Sequence, residues 1–375
     1  MIYVKHNSRE PYFNLAVEEF FLTRSVDDAT ALGESPAEPI LLLWQNEPTV
    51  VVGGRQNTLE EINLEFIERR GVRVVRRITG GGAVYHDLGN LNYSFIVPDA
   101  SRLGAAKQET ASRLDLRSTE TPSLAAPSTL AESFRRLAQP IVDVLRAWNI
   151  PAELSGRNDI TVCERKVSGS AQARKNGRTL HHGTLLFDSN LDDVASALRV
   201  DAEKFRSKAV SSIRARVANL VEFLPPAERA NVVERFQTYL LTRLSETQPI
   251  VVRELNNGEL VKIRRLRDEK YATWDWNFGS SPRFQFRASR RFDWGKFELA
   301  FDVVRGRIER AQIFGDFFAL DELEPLLERF VGAAFERGAL SERISEPLLR
   351  QALPFMSPTD FVELALSAAP TDATR

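Results

Sequence analysis

Three consecutive glycines, Gly80, Gly81 and Gly82, separate an apolar run ending at Val75 from a second β-rich run, and Arg76 and Arg77 stand just ahead of them. Two-residue hairpin turns do not need so much glycine. Residues without a Cβ take positive φ and let successive backbone N–H groups converge on one point, a cradle for phosphate or carboxylate oxygens. Guanidinium groups carry a permanent charge and match those oxygens in a bidentate fork. The string 76–90 therefore reads as a loop that holds a nucleotide or an acyl phosphate. Taken alone, a glycine triplet with basic flanks also fits a flexible turn, so the rest of the chain has to decide.

A chain of 375 residues has room for two or three domains and a sizeable core without staples. Lys+Arg 50 against Asp+Glu 51 gives a net charge of -1, so no global basic field gathers nucleic acid. The single cysteine, Cys163, excludes an intrachain disulfide and a cysteine-based zinc finger and fits a reducing cytosol. With four histidines in the chain, a dedicated transition-metal site has little material. Residues 1–7 lack the apolar core of a signal peptide, and no apolar run reaches the length of a membrane span. A cytoplasmic protein with no nucleic-acid or membrane partner is expected.

The first third alternates helix and strand signals. Helical spacing over 14–22 follows Pro11, β-rich runs at 40–44 and 49–53 flank a turn, and 59–69 reads as one amphipathic helix ended by Gly71. Residues 72–75 form a strand into the glycine loop, and 83–86 and 91–97 continue the sheet. From 99 to about 130 the composition turns to Ser, Thr, Ala and charge, as in a mobile insertion. Helical patterns resume at 133–148 and 227–244, with a β-rich stretch from Gly156 to Phe187 between them. These features divide the chain into a domain over 1–249 and a second over 250–375, with strands at 284–287, 296–304 and 307–314 and helices beyond.

Further strings carry chemistry. In Arg165-Lys166-Val167-Ser168-Gly169-Ser170-Ala171 a lysine sits among small, β-forming residues, where it points a compact charge at anionic oxygens or merely meets solvent. His181 and His182 are adjacent in a strand, so their side chains take opposite faces and do not chelate one ion together. One of them is placed to donate to a ligand oxygen beside Gly183. Cys163, next to Glu164 and with no nearby base, reads as a buried structural thiol rather than a nucleophile. Trp274 and Trp276 read as packing aromatics.

Together these residues resemble the lipoate-protein ligase A family. The resemblance is carried by Arg76-Arg77 with the run Gly80 to Asn90, then Gly156-Arg157-Asn158-Asp159, then 165–171, then His181-His182-Gly183-Thr184-Leu185-Leu186, in that order. Phe13-Asn14-Leu15-Ala16-Val17-Glu18-Glu19 and Trp276-Asn277-Phe278-Gly279 are similar too. It implies an α+β fold: a mixed-sheet catalytic domain related to biotin ligases, with a smaller α+β C-terminal accessory domain. It also implies two half-reactions, in which lipoate attacks the α-phosphate of ATP with Mg²⁺ present, and a carrier lysine then attacks the lipoyl-adenylate.

Residue by residue, the resemblance assigns Lys166 the central polar role on both lipoate and adenylate. Arg77, Gly82, Ala83, Val84, Tyr85, Asn158 and Asp159 fall to ATP or adenylate, and Asp159 also to the metal. Gly81, His86, Ser168, His182 and Thr184 join Lys166 around lipoate. Arg55 stands one position later than the arginine of many relatives, which reverses its face in an extended segment. The carriers implied are lipoyl domains of 2-oxoacid dehydrogenase complexes or the glycine cleavage H protein. Two other readings stay open: a lipoyl or octanoyl transferase using a preformed activated donor, and a non-catalytic binder.

Overall fold

Strand β1 (Ile2–Lys5) lies between two parallel partners, β2 (Ile40–Trp44) on one side and β11 (Val251–Glu254) on the other. The computed structural model describes residues 1–30, 32–35, 38–98, 130–156, 158–198, 215–279, 284–319 and 322–370. They divide into two compact units. One comprises Met1–Val51, Ile62–Val75 and Val84–Thr273, the other Val52–Glu61, Arg76–Ala83 and Trp274–Arg375.

The larger unit is built on a mixed eight-stranded sheet in the order β11-β1-β2-β6-β10-β9-β8-β7. Beyond β2 it is antiparallel: β6 (Asn90–Pro98), β10 (Arg178–Leu186), β9 (Arg165–Lys175), β8 (Asp159–Val162) and β7 (Ala152–Ser155). Local chemistry sets the hairpins. Asn176 and Gly177 both have positive φ, 52° and 72°, in the two-residue turn that pairs Arg178 with Lys175. Helix α1 (Pro11–Thr23) starts where the Glu10 carboxylate accepts from the Tyr12 and Phe13 amides, with Pro11 in the first turn.

On one face of the sheet, Tyr93, Phe95 and Val97 pack with Leu137, Ile141 and Leu145 of the helix Leu130–Ala147 and with Phe236 and Leu240 of the helix Val232–Thr247. Each such side chain, fully buried, contributes about 1.5–3 kcal/mol. The other face carries α1 and the polar residues described below. A three-stranded sheet, β4 (Arg73–Arg76), β3 (Thr49–Val52) and β5 (Val84–His86), leads into and out of the glycine loop. In the smaller unit, β12 (Phe286–Phe292), β13 (Gly295–Val304), β14 (Arg307–Gly315) and the short β15 (Ala369–Pro370) form an antiparallel sheet under short helices.

The single helix expected over 59–69 is two, Thr58–Glu61 and Leu64–Arg70. Ile62 bridges to Leu198 between them, and Asn63 caps the second by accepting from the Phe66 amide. The helix expected from 227 begins at Val232, because Pro226–Glu228 is a 3-10 turn and Asn231 is left-handed. The stretch read as an insertion at about 99–130 lies outside the described residues except for Leu130, which opens a helix.

Candidate functional site

In β9 the alternation of faces breaks at a bulge. Thr161 pairs with Lys166 and Ile160 with Ser168, so Val167 has no partner in β8. Val167 is in the core under the helices, whereas a Cβ on Gly169 would stand 2.9 Å from Lys166 Nζ, so Lys166 and Gly169 share the opposite face. Thr184 joins them there. Its Oγ1 accepts from the Gly169 amide at 3.2 Å. Lys166 Nζ is 2.7 Å from Asp159 Oδ1.

His182, two residues from Thr184 in β10, is on the same face. Its Nδ1 is 2.9 and 3.0 Å from the two carboxylate oxygens of Glu18 on α1. Ser94 Oγ donates to Glu18 Oε1 at 2.5 Å, and Trp44 Nε1 donates to Ser94 Oγ at 2.9 Å. A chain of four side chains therefore crosses β2, β6, α1 and β10. The carboxylate accepts the Nδ1 proton, which directs Nε2 away from Glu18. Next along α1, Glu19 accepts from Lys270 Nζ and from the Tyr271 hydroxyl at 2.8 Å.

Two expected residues do not join this face. The bulge turns Ser168 to the helix side, where it bonds the Tyr93 hydroxyl. Asn158 clamps the start of β8 to β9: its Nδ2 donates to Ser170 O at 2.7 Å, and its own carbonyl accepts from the Ser170 amide. Both Asn158 and Asp159 border a cavity of about 380 Å³ under the helix Leu130–Ala147, which Arg135, Gln139 and Arg146 also line. Arg157 lies outside the described residues.

His181 faces the other way, with Gln172 Nε2 donating to its Nδ1 at 2.9 Å and the rings of Phe134 and Tyr93 around it. Burial, followed by the neighbouring His182, pushes its pKa down to about 3. The pair is split across the sheet as the sequence implies. Among the described residues no group of three His, Cys, Asp or Glu side chains is placed to hold a metal.

After the loop, Tyr85 is buried, and burial, with Asp193 and Asp87 adding to it, raises its pKa to about 12. His86 Nδ1 accepts from Asn46 Nδ2 at 3.1 Å, since Asn46 Oδ1 is already engaged by Asn14 Nδ2. Val84 is half-buried in β5.

The glycine loop itself belongs to the smaller unit. Arg77 folds over its own turn: Nε donates to Thr79 Oγ1 at 2.9 Å, and Nη2 to Gly80 O and Gly82 O at 2.8 Å. The glycines differ in what requires them. A Cβ on Gly80 would stand 2.3 Å from Phe317 O, and Gly81 has a φ of 90°. Gly53 meets Gly81 O across the loop, where a Cβ would be 2.0 Å away. Gly82 is exposed, has no positive φ, and faces nothing within 4 Å, so the protein's own packing gives no reason for a glycine there. Ala83 is half-buried. Open space beside an anion-cradling turn is what close approach of a ligand needs.

Sequence reasoning left Arg76 without a role. It is 1% exposed, and Nη1 donates to Gln56 O at 2.7 Å and Gly53 O at 3.1 Å. Nη2 donates to Thr58 Oγ1 at 2.7 Å, and Nε to Trp276 O at 3.0 Å. Its backbone is held as well: the amide donates to Asn277 Oδ1 and the carbonyl accepts from Trp276 Nε1. The tryptophan motif is thus a clamp on the residue before the loop, beyond packing. Burial pushes the Arg76 pKa down to about 10. Arg55 sets its guanidinium over the Phe317 ring, 5.6 Å from the centroid, and its carbonyl accepts from the Gly315 amide. Cys163, expected in the core, is exposed: it and Glu164 are the two left-handed residues of the β8–β9 turn, which projects into solvent.

A mixed sheet with a polar lysine face and a glycine loop is the arrangement of the biotin and lipoate ligase fold. The chain matches the lipoyl protein ligase A/B catalytic domain over residues 10–113 and 120–241, and the bacterial lipoate protein ligase C-terminus over 281–364. It belongs to the lipoate-protein ligase family. It is 36% identical over 361 residues to the lipoate-protein ligase LplJ of Bacillus subtilis strain 168, covering 96% of this chain and 97% of that one. Among solved structures, Plasmodium falciparum LipL1 in complex with lipoate superposes with a TM-score of 0.70 at 26% identity, over 98% of this chain and 99% of that one. A lipoate-protein ligase A bound with ATP gives 0.55 at 26% identity, over 74% and 98%.

Proposed function

We propose that this protein is an ATP-dependent lipoate-protein ligase that carries out both half-reactions. In the first, a lipoate carboxylate oxygen bonds to the α-phosphorus of ATP and pyrophosphate leaves. In the second, a carrier lysine ε-amine bonds to the acyl carbon, AMP leaves, and the amine gives up a proton. The observation that carries this reading is the face on which Lys166, Gly169, Thr184 and His182 stand together. Attack of one anion on another needs a neutralising charge, and a lysine whose partner is a single half-exposed carboxylate supplies one that can change partners.

Lys166 binds lipoate and adenylate oxygens in this reading. Arg77, Gly82, Ala83, Val84 and Tyr85 serve the nucleotide, with open space at Gly82 in support. Gly81, His86, His182 and Thr184 serve lipoate. Asn158 shapes the turn before Asp159. Mg²⁺, if Asp159 holds it, needs few protein ligands, because it is commonly bound by one or two carboxylates together with substrate phosphates and water; it would neutralise phosphate charge. The division into a catalytic domain over 1–249 and an accessory domain over 250–375 is kept.

The acceptors proposed are lipoyl domains of 2-oxoacid dehydrogenase complexes or the glycine cleavage H protein, in the cytoplasm. No helix among the described residues is long and apolar enough to cross a membrane. Purified protein is expected to exchange labelled pyrophosphate into ATP only when lipoate is present. Transfer from synthetic lipoyl-adenylate without exchange would make it a transferase, and inactivity in both assays a binder.

A further inference from the structure

Arg76 is buried with a full charge, yet among the described residues no carboxylate pairs with it. Its acceptors are the carbonyls of Gly53, Gly54, Gln56, Trp276 and Asn277 and the hydroxyl of Thr58, every one neutral. An arginine normally enters a protein interior with a counter-charge. Here the whole donor fork is saturated by dipoles, so the geometry is fixed while the positive charge is left uncancelled.

The partners also have a common address. Gly53 packs directly on Gly81 O, and the Gly54 amide donates to Thr79 O at 2.8 Å. The 53–58 segment is thus the backing of the glycine loop, and Arg76 ties that backing to Trp276 and Asn277. Arg77 holds the same loop from within, through Gly80 O and Gly82 O.

We propose that Arg76 is a positioning residue for anion binding at the glycine loop: without touching substrate, it fastens the 53–58 backing to Trp276 and Asn277 and leaves an uncancelled positive charge behind the loop. Removing the fork loosens the loop, and adding a counter-charge weakens its hold on anions without loosening it. This rests on the reading of the loop as an ATP site.

The test uses the full-length protein and two readouts, amide hydrogen exchange over 78–83 and the KM for ATP. Arg76→Lys keeps the charge and loses the fork; it is expected to speed exchange in 78–83 at least tenfold, leave 90–98 unchanged, and raise KM tenfold or more with a smaller change in kcat. Asn277→Asp keeps the acceptor for the Arg76 amide and supplies a counter-charge; it is expected to raise KM severalfold with exchange unchanged. Wild-type exchange and KM in Arg76→Lys overturn the proposal, as does a uniform speeding of exchange across the sheet, which marks a merely structural role. If Arg76→Lys does not fold, Asn277→Ala takes its place with the same expectations and the same overturning results. Failure of ATP to protect 78–83 in the wild-type protein overturns the reading of the loop instead, independently of whether Arg76 holds it.

Discussion

Lys166 Nζ and Asp159 Oδ1 are 2.7 Å apart across the β8–β9 pair, and 40% and 34% of their side chains remain exposed. An ion pair so open to water contributes little to stability, about 0–1 kcal/mol. Lys166→Ala is therefore expected to fold with a nearly unchanged melting temperature and to lose lipoate-dependent pyrophosphate exchange. Near-normal exchange in that variant would remove Lys166 from the centre of the reaction.

The two sides of the glycine loop should respond differently to a single methyl group. Gly53→Ala drives a Cβ to 2.0 Å from Gly81 O, a backbone atom with no room to move, and should destabilise the protein by about 2 kcal/mol or more. Gly82→Ala meets nothing within 4 Å; its stability should stay within about 0.5 kcal/mol of wild type while KM for ATP rises. Denaturant melts and steady-state kinetics on the two variants separate fold from ligand. An unchanged KM in Gly82→Ala would place the nucleotide elsewhere.

Burial of His181 makes stability depend on acidity. Its folded pKa, about 3, is below the ordinary 6.5, so between those values the unfolded chain binds the extra proton. The stability it contributes is complete above 6.5 and is lost as pH falls towards 3. His6 acts in the same direction, with a folded pKa of about 4 caused by burial. The urea midpoint should fall from about pH 7 to about pH 4.5, and His181→Gln should reduce that slope without abolishing it, since His6 remains. An identical slope in the variant would mean that the imidazole is not sealed from water.

Cys163 is the only thiol in the chain and sits at the tip of a turn. A disulfide reagent such as DTNB should titrate one equivalent in the native protein, without denaturant. Cys163→Ser should transfer lipoyl groups at the wild-type rate. Loss of transfer would revive a thioester route.

Short-range chemistry in this chain was readable, and long-range pairing was not. Asn176-Gly177 announces its hairpin, and the alternation of His181 and His182 separates their faces correctly. Ser168 was misplaced because a bulge does not show in an apolar-polar pattern; one unpaired residue, Val167, shifts all that follows it to the other face. Glu18 and Glu19 stood out only as charges inside an apolar helix, since their partners His182 and Tyr271 are 164 and 252 positions away. Arg76 and Arg77 look alike in sequence, and only the fold assigns one to the backing of the loop and the other to its interior.

The order in which the chain is made gives the β1–β11 pairing a further meaning. Synthesis runs from Met1, and β1 has an open edge until Val251–Glu254 arrives to cover it. Arg76 waits longer still, because the carbonyls of Trp276 and Asn277 are made 200 residues after it. An incomplete chain therefore carries an unsaturated guanidinium beside its glycine loop and an unclosed sheet. Assembly of the loop's surroundings is among the last events in making this protein, so translation that stops early yields a chain whose loop is not yet fastened.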